Sequence, residues 1–330
     1  MMKNQLLSVN KSWILKGIAI CLLLVHHLFY ERNGLYNDFP VHGRYLVQQI
    51  GVFSRLCVAL FVFLSGYGLA VSHKEQPIGK FYMRRFKKLF LNYWFIWIIF
   101  VGLSILVFHR SMYMVYGNHI AMRAGLDFLG ILFDFGYYGY NPTWWFITCI
   151  ISLYLLYPFL YKGLEKYPYL VFTAGVILPM FSFLTPIVPI AAYLLPFTMG
   201  MWMARRPAEE FTRIGYTELL VVLALLAMFH NFSNNAKFIV ETMMCADIAV
   251  LAGKTEFGPR FEKIFVELGK HSMNIFLFHT FIFYYWFTDY IYITRNPVLI
   301  FLELLAVCWL ISVCLERLKQ VTGFNKLLAR

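Results

Sequence analysis

The chain of 330 residues is 60% hydrophobic, 19% aromatic and only 14% charged, with a formal net charge of +12 and a mean hydropathy of +0.64. Soluble domains sit nearer half apolar and a quarter charged, so a single water-facing globule is excluded and the bilayer is the expected solvent. The surplus of Lys and Arg reads as loop charge that sets topology and faces anionic lipid; no nucleic acid partner is expected.

Windows that can cross about 30 Å of hydrocarbon predict about ten helices in chain order: 13–30, 52–72, 89–108, 144–161, 169–184, 187–203, 216–230, 238–252, 272–288 and 297–315. The fold class is thus an all-α polytopic membrane protein, read as one membrane-embedded domain over 1–330. The first window has a basic start and an apolar run from Gly17 to Val25. No small-residue cleavage site follows, and His26 and His27 come directly after, so it reads as a retained helix rather than a signal peptide. With the amino terminus inside, 22 Lys and Arg fall in inner segments and six in outer loops, with Arg55 inside the second window. That asymmetry puts both termini in the cytoplasm, and the protein is expected as a multi-pass component of the plasma membrane. The 109–143 stretch, with His119, Asp127, Asp134 and the run Phe135 to Tyr140, exceeds an ordinary connection and suggests a lid or re-entrant piece. The six cysteines lie in apolar runs, without CxxC or histidines at ligand spacing, so neither a disulfide framework nor a metal is expected.

An ionisable residue inside a span is costly and is by default a functional candidate. Lys16, His26, His27, Arg55, His230, Glu241, Asp247, His279 and Glu303 qualify. His230, Glu241, Asp247 and Glu303 fall near window ends, where interfacial or inter-helix hydrogen bonding accounts for them. Lys16 and His27 are eleven residues apart, close to three helical turns and about 16 Å of rise, so they share a face that His26 does not. A snorkelling lysine and an interfacial histidine pair fit the same pattern. At the inner end of the third window, Arg84, Arg85, Lys87 and Lys88 surround one turn with positive charge, either as a topology anchor or as a clamp for phosphates.

These stretches, with two more, carry a resemblance. Lys16-Gly-Ile-Ala-Ile followed by His27, then Phe61-Val-Phe-Leu-Ser-Gly-Tyr-Gly-Leu, then Arg84-Arg85 with Lys88, then Trp144-Trp-Phe-Ile with Tyr154 and Tyr157-Pro158, then Gly269-Lys-His-Ser-Met-Asn-Ile-Phe-Leu-Phe-His279 resemble, in order and spacing, the acyltransferase 3 family of integral membrane proteins. The resemblance spans about residues 12 to 315. It implies transfer of an acyl group, usually acetyl from acetyl-CoA, to a hydroxyl of an extracytoplasmic glycan such as an envelope or capsular polysaccharide. The family's basic residue and histidine fall on Lys16 and His27, its third-helix arginine pair on Arg85 and Lys88 beside Arg84, and its Ser-Gly-Tyr on Ser65, Gly66 and Tyr67. The chain departs in reading Ser12-Trp-Ile-Leu-Lys-Gly where relatives often carry an acidic residue and an arginine, and in having Lys88 for the second arginine. No hydrolase-like domain follows the last window, so the chain would complete transfer itself, as a monomer or homo-oligomer, or pass the acyl group to a partner protein.

The implied chemistry needs a base near neutral pH to take the hydroxyl proton, and His27 is the candidate. The pantetheine arm of CoA is of the same order as the Lys16 to His27 rise of about 16 Å, so phosphates held at Arg84, Arg85 and Lys88 would send the thioester toward His27. Direct transfer and an acetyl-histidine intermediate are both compatible with these residues. Ser65 would supply an oxyanion hydrogen bond or satisfy a helix carbonyl. Arg55 and His279 are acceptor-side candidates; Asp127, Asp134 and Tyr138 would bond a sugar or sit on a solvated loop face. The competing class is a transporter or exporter of a small solute or glycan, against which stand the phosphate-ready cluster and the lack of paired Gly/Pro-broken spans in two halves.

Overall fold

The computed structural model describes residues 5–31, 33–184, 188–230, 236–324 and 327, with side chains at 182–184, 188 and 189 left aside. Lys3, Arg32, Lys326 and Arg330 of the charge count, and the junction at 185–187 between the fifth and sixth windows, lie outside the described residues. In chain order the elements are α1 (Val9–Phe29), a two-residue hairpin of β1 (Pro40–Val41) and β2 (Arg44–Tyr45), α2 (Leu46–Phe53), α3 (Leu56–Val71), α4 (Ile78–Leu106), α5 (Met112–Tyr116), α6 (Ile120–Phe128), α7 (Trp145–Lys166), α8 (Pro168–Ile177), α9 (Val188–Ala204), α10 (Glu209–Thr212), α11 (Tyr216–His230), α12 (Lys237–Lys254), α13 (Pro259–Thr280), α14 (Thr288–Ile291) and α15 (Pro297–Val321). Starts follow local chemistry. The Ser8 hydroxyl accepts from the Lys11 amide at the head of α1, and Asn296, followed by Pro297, accepts from the Val298 and Leu299 amides at the head of α15, each satisfying amides the first turn leaves without partners.

Among the described residues, five helices are long and apolar enough to cross a membrane: Val9–Phe29, Leu46–Val71, Ile78–Leu106, Pro142–Lys166 and Pro297–Val321. Other predicted spans come out differently. The fifth window becomes the ten-residue α8 followed by a 3-10 stretch, Leu178–Leu184, and α11 has 15 residues, a rise of about 22 Å. The second window begins earlier than predicted, at Leu46. It is not one regular helix, because the Ser54 hydroxyl donates to the Ile50 carbonyl at 2.7 Å and a tightened turn at 54–55 joins α2 to α3. Arg55 therefore stands in a break inside the rod, not near its end.

By contacts the chain forms two compact units. The first comprises Met1–Glu31, Asp38–Glu75 and Leu156–Ser272, and its helices meet through glycines. A Cβ on Gly66 of α3 would collide with the Phe197 carbonyl of α9, and one on Gly200 of α9 with the Phe63 carbonyl of α3. The same reciprocity joins α1 to α13, where Gly17 faces the Phe265 carbonyl and Gly269 the Trp13 carbonyl. Without hydrophobic expulsion inside a bilayer, close backbone approach at small residues is what drives helices together.

The second unit comprises Arg32–Asn37, Gln76–Leu155 and Met273–Arg330. Along α4, Tyr82, Phe86, Phe90 and Trp94 form a ladder at four-residue spacing, ring centroids 5.8, 6.1 and 5.3 Å apart, as side chains one turn apart must. The 109–143 stretch folds as short helices around a buried carboxylate, so Asp127 is not on a solvated loop face. Asp127 is 3% exposed and receives the Tyr116 hydroxyl at 2.6 Å and the Trp97 indole N–H at 3.3 Å. Burial raises its carboxyl to about 6 in spite of those donors. A reciprocal latch closes the stretch, with Arg110 Nη1 donating to the Tyr140 carbonyl at 2.7 Å and the Tyr140 hydroxyl to the Arg110 carbonyl at 2.8 Å.

Candidate functional site

In the first unit, α1 is unbroken from Val9 to Phe29, so Lys16 and His27 lie on one helix face about 16 Å apart in rise. Both are half-buried. The Lys16 ammonium sits 4.5 Å from the centre of the Trp13 ring, a cation–π contact within the same helix. The neighbouring histidine has a different task. His26 Nδ1–H donates to the Gly51 carbonyl of α2 at 2.9 Å, and its ring lies 5.1 Å from that of His27. The tautomer of His26 follows from that bond, since a carbonyl only accepts.

Ser65, half-buried on α3, donates its hydroxyl to the Phe61 carbonyl one turn back at 2.9 Å. Of the two expectations for it, this geometry is the helix-carbonyl one. The rest of that motif is structural as well: Gly66 lets α9 approach, and the Tyr67 hydroxyl accepts the Leu7 amide at 2.9 Å. Gly269 of the last motif serves the α1 contact.

Arg55 is brought to a carboxylate that lies 186 positions away. Its Nε is 3.6 Å from Glu241 Oε1 on α12, and the two side chains are 45% and 2% exposed. His230, buried at the end of α11, donates Nε2–H to the same Glu241 oxygen at 3.2 Å. Glu241 is the residue sequence reasoning undervalued. Near a predicted helix end it was expected in interfacial or inter-helix hydrogen bonding, and the bond to His230 is of the second kind; what the expectation lacked is the link to Arg55.

In the second unit, Arg84, Arg85, Lys87 and Lys88 occupy the second and third turns of α4. Arg84 and Lys88 are exposed, Arg85 and Lys87 half-buried, and the Arg85 guanidinium lies 6.0 Å from the Phe81 ring. One turn beyond Lys88, Asn92 enters a buried network: Lys319 Nζ donates to Asn92 Oδ1 at 2.5 Å, Asn274 Oδ1 at 3.1 Å and Glu316 Oε1 at 2.7 Å. This ammonium, 2% exposed, is compensated by a carboxylate and two amides, as burial of a charge requires. The network ties α4, α13 and α15 together at the middle of α4, one turn beyond the basic cluster.

His279 is fully buried. Its Nδ1–H donates to the Phe276 carbonyl at 2.9 Å and reaches the Ile275 carbonyl at 3.1 Å, and Nε2 accepts from the Thr280 hydroxyl at 3.3 Å. Those bonds hold it within its own helix, just before the chain widens to a π-helix at Phe281–Trp286. There the Asn141 amide and the Trp144 indole both donate to the Leu277 carbonyl at 2.9 Å, which gives the tryptophan motif a concrete role: it satisfies a carbonyl where regular helical bonding is disturbed.

The described arrangement thus holds a histidine and lysine on one helix, an Arg–Glu–His group and a serine bonded to its own helix in one unit, and a basic helix end in the other. Comparison with known proteins bears on what these do. The chain matches the model of a family described as an acyltransferase domain, over residues 13–317. No curated protein and no solved structure matches it. The match takes in all the motifs above and, among the described residues, reaches each helix long enough to cross a membrane, from within α1 into α15, and on it the chain belongs to the acyltransferase 3 family and is a multi-pass membrane acyltransferase.

Proposed function

We propose that the protein moves an acetyl group from cytoplasmic acetyl-CoA to a hydroxyl of an envelope or capsular polysaccharide, as a plasma-membrane enzyme with both termini in the cytoplasm. The observation that carries the reading is the shared face of Lys16 and His27 on one unbroken helix, within a chain matched almost end to end by an acyltransferase family. Lys16 sits toward one end of α1 and His27 in its last turns, so one helix offers a cation at one depth and a base at another.

In this reading the His27 imidazole takes the proton of the acceptor hydroxyl as its oxygen bonds to the thioester carbonyl carbon. The C–S bond of the tetrahedral intermediate then breaks, and the departing CoA thiolate takes the proton from the imidazolium. The products are the O-acetyl ester and CoA, with atoms and charge balanced. Arg84, Arg85 and Lys88 receive the donor's phosphates, the arginines through paired N–H bonds and the lysine as a point charge. Arg55 faces the acceptor. Ser65, whose hydroxyl is spent on Phe61, and His279, whose ring nitrogens are engaged within α13, serve the fold.

The test is mass spectrometry of envelope glycans from cells with the gene, without it, and with His27→Ala at matched membrane levels. Loss of one acetyl mass per modified sugar in the last two supports the reading. Unchanged acetylation without the gene refutes it. A solute flux lost on deletion with no change in glycan mass would favour a transporter instead.

A further inference from the structure

We infer that Glu241 is the positioning residue for Arg55, with His230 holding Glu241 in place, and that the trio presents the outward edge of the guanidinium to paired oxygens on the acceptor sugar. The inference rests on the acceptor role proposed above for Arg55. Arg55 stands in the tightened turn between α2 and α3. Its Nε side is turned to Glu241 Oε1 at 3.6 Å while 45% of the side chain remains exposed. With Nε turned to the carboxylate, the end of the guanidinium formed by the two Nη groups is a fork that matches two oxygens in one plane, such as vicinal hydroxyls or a uronate carboxylate.

The carboxylate is itself fixed. Glu241 is 2% exposed, so its charge stays there only while partnered. His230 supplies the second partner at 3.2 Å, and the His230 ring packs edge-on against Phe53, centroids 5.1 Å apart. Phe53 lies two residues before Arg55. The contacts therefore close a circuit from the 53–55 segment through His230 and Glu241 back to Arg55, which locks the cation's orientation without using its outer edge. Lys237, one turn before Glu241 on α12, adds a second positive charge, and His26 Nδ1–H donates to the Gly51 carbonyl, four residues before Arg55. The circuit thus lies beside the end of α1 that carries His27.

Membrane vesicles containing the full chain, given radiolabelled acetyl-CoA, report transfer as label in the endogenous envelope glycan fraction. Glu241→Gln and Arg55→Gln should each slow transfer about tenfold while leaving the apparent KM for acetyl-CoA within about twofold, and the double variant should be no slower than Arg55→Gln alone. Glu241→Asp, which keeps the charge, should recover part of the rate. If Glu241→Gln does not reach the membrane, His230→Asn carries the same comparison with a smaller loss. Wild-type rate in Glu241→Gln, losses that multiply in the double variant, or a rise in donor KM that matches the fall in rate would each overturn the inference. Wild-type vesicles that transfer no label would refute the proposed function itself and this inference with it, a failure visible before any variant is compared.

Discussion

Replacing Gly66 by Ala tests whether the Ser-Gly-Tyr motif is there for packing. The new Cβ would meet the backbone carbonyl of Phe197, an atom that cannot swing aside as a side chain does, so α3 and α9 must part by about 1 Å to restore van der Waals distance. Phe63, Gly66 and Tyr67 face Phe197, Gly200 and Met201 across that contact. A gap of 0.5–1 Å forfeits roughly a quarter to a half of each well of ~0.1–0.2 kcal/mol, so over some tens of atom pairs the loss is about 1–3 kcal/mol. Helix propensity returns up to about 1 kcal/mol for Gly to Ala, and the net destabilisation is about 1–2 kcal/mol. Gly200→Ala should cost a similar amount, and the double variant less than the sum, because the first separation already makes room for the second methyl. Thermal unfolding of purified protein in detergent measures it, read as a lowered midpoint for each single variant. A Gly66→Ala protein as stable as wild type would show that propensity outweighs packing here, and strictly additive losses would show that the two glycines do not belong to one contact.

Three further outcomes follow from the geometry. His27→Ala should abolish glycan acetylation whereas His26→Ala keeps most of it and loses about 1 kcal/mol of stability with its bond to Gly51; equal activities by glycan mass spectrometry would unseat His27 as the base. Arg84→Ala and Arg85→Ala should each raise the apparent KM for acetyl-CoA more than Lys88→Ala does, since an ammonium offers no fork, and calorimetry showing unchanged CoA affinity in the double arginine variant would return the cluster to a topology anchor. Asp127, raised from 3.8 to about 6 by burial, binds its proton more tightly folded than unfolded. Its contribution to stability therefore falls as pH rises from about 4 to about 6, by a few kcal/mol in all, and protection factors across 109–143, corrected for the intrinsic pH dependence of exchange, should fall over that window; protection that rises instead would contradict the sign.

Membrane residence and family were legible in the sequence because both are written in local order: apolar runs of membrane length, basic loops between them, and motifs whose spacing survives without knowledge of what touches what. The shared face of Lys16 and His27 was legible for the same reason, since helical period alone sets it. Helix limits were less so. The early start at Leu46, the break at Ser54 and Arg55, and the brevity of α8 depend on which carbonyls and hydroxyls find each other, and apolar composition does not distinguish a lipid-facing run from a buried one. What only the tertiary structure decided is partnership across long stretches of chain. The tertiary structure gave the motif glycines their purpose by setting Gly17 and Gly269, and Gly66 and Gly200, against one another's helices. Glu241 passed from one of four window-end residues to the anchor of Arg55 because a buried carboxylate is tolerated only where folding delivers a cation to it, and no spacing rule connects positions 186 residues apart.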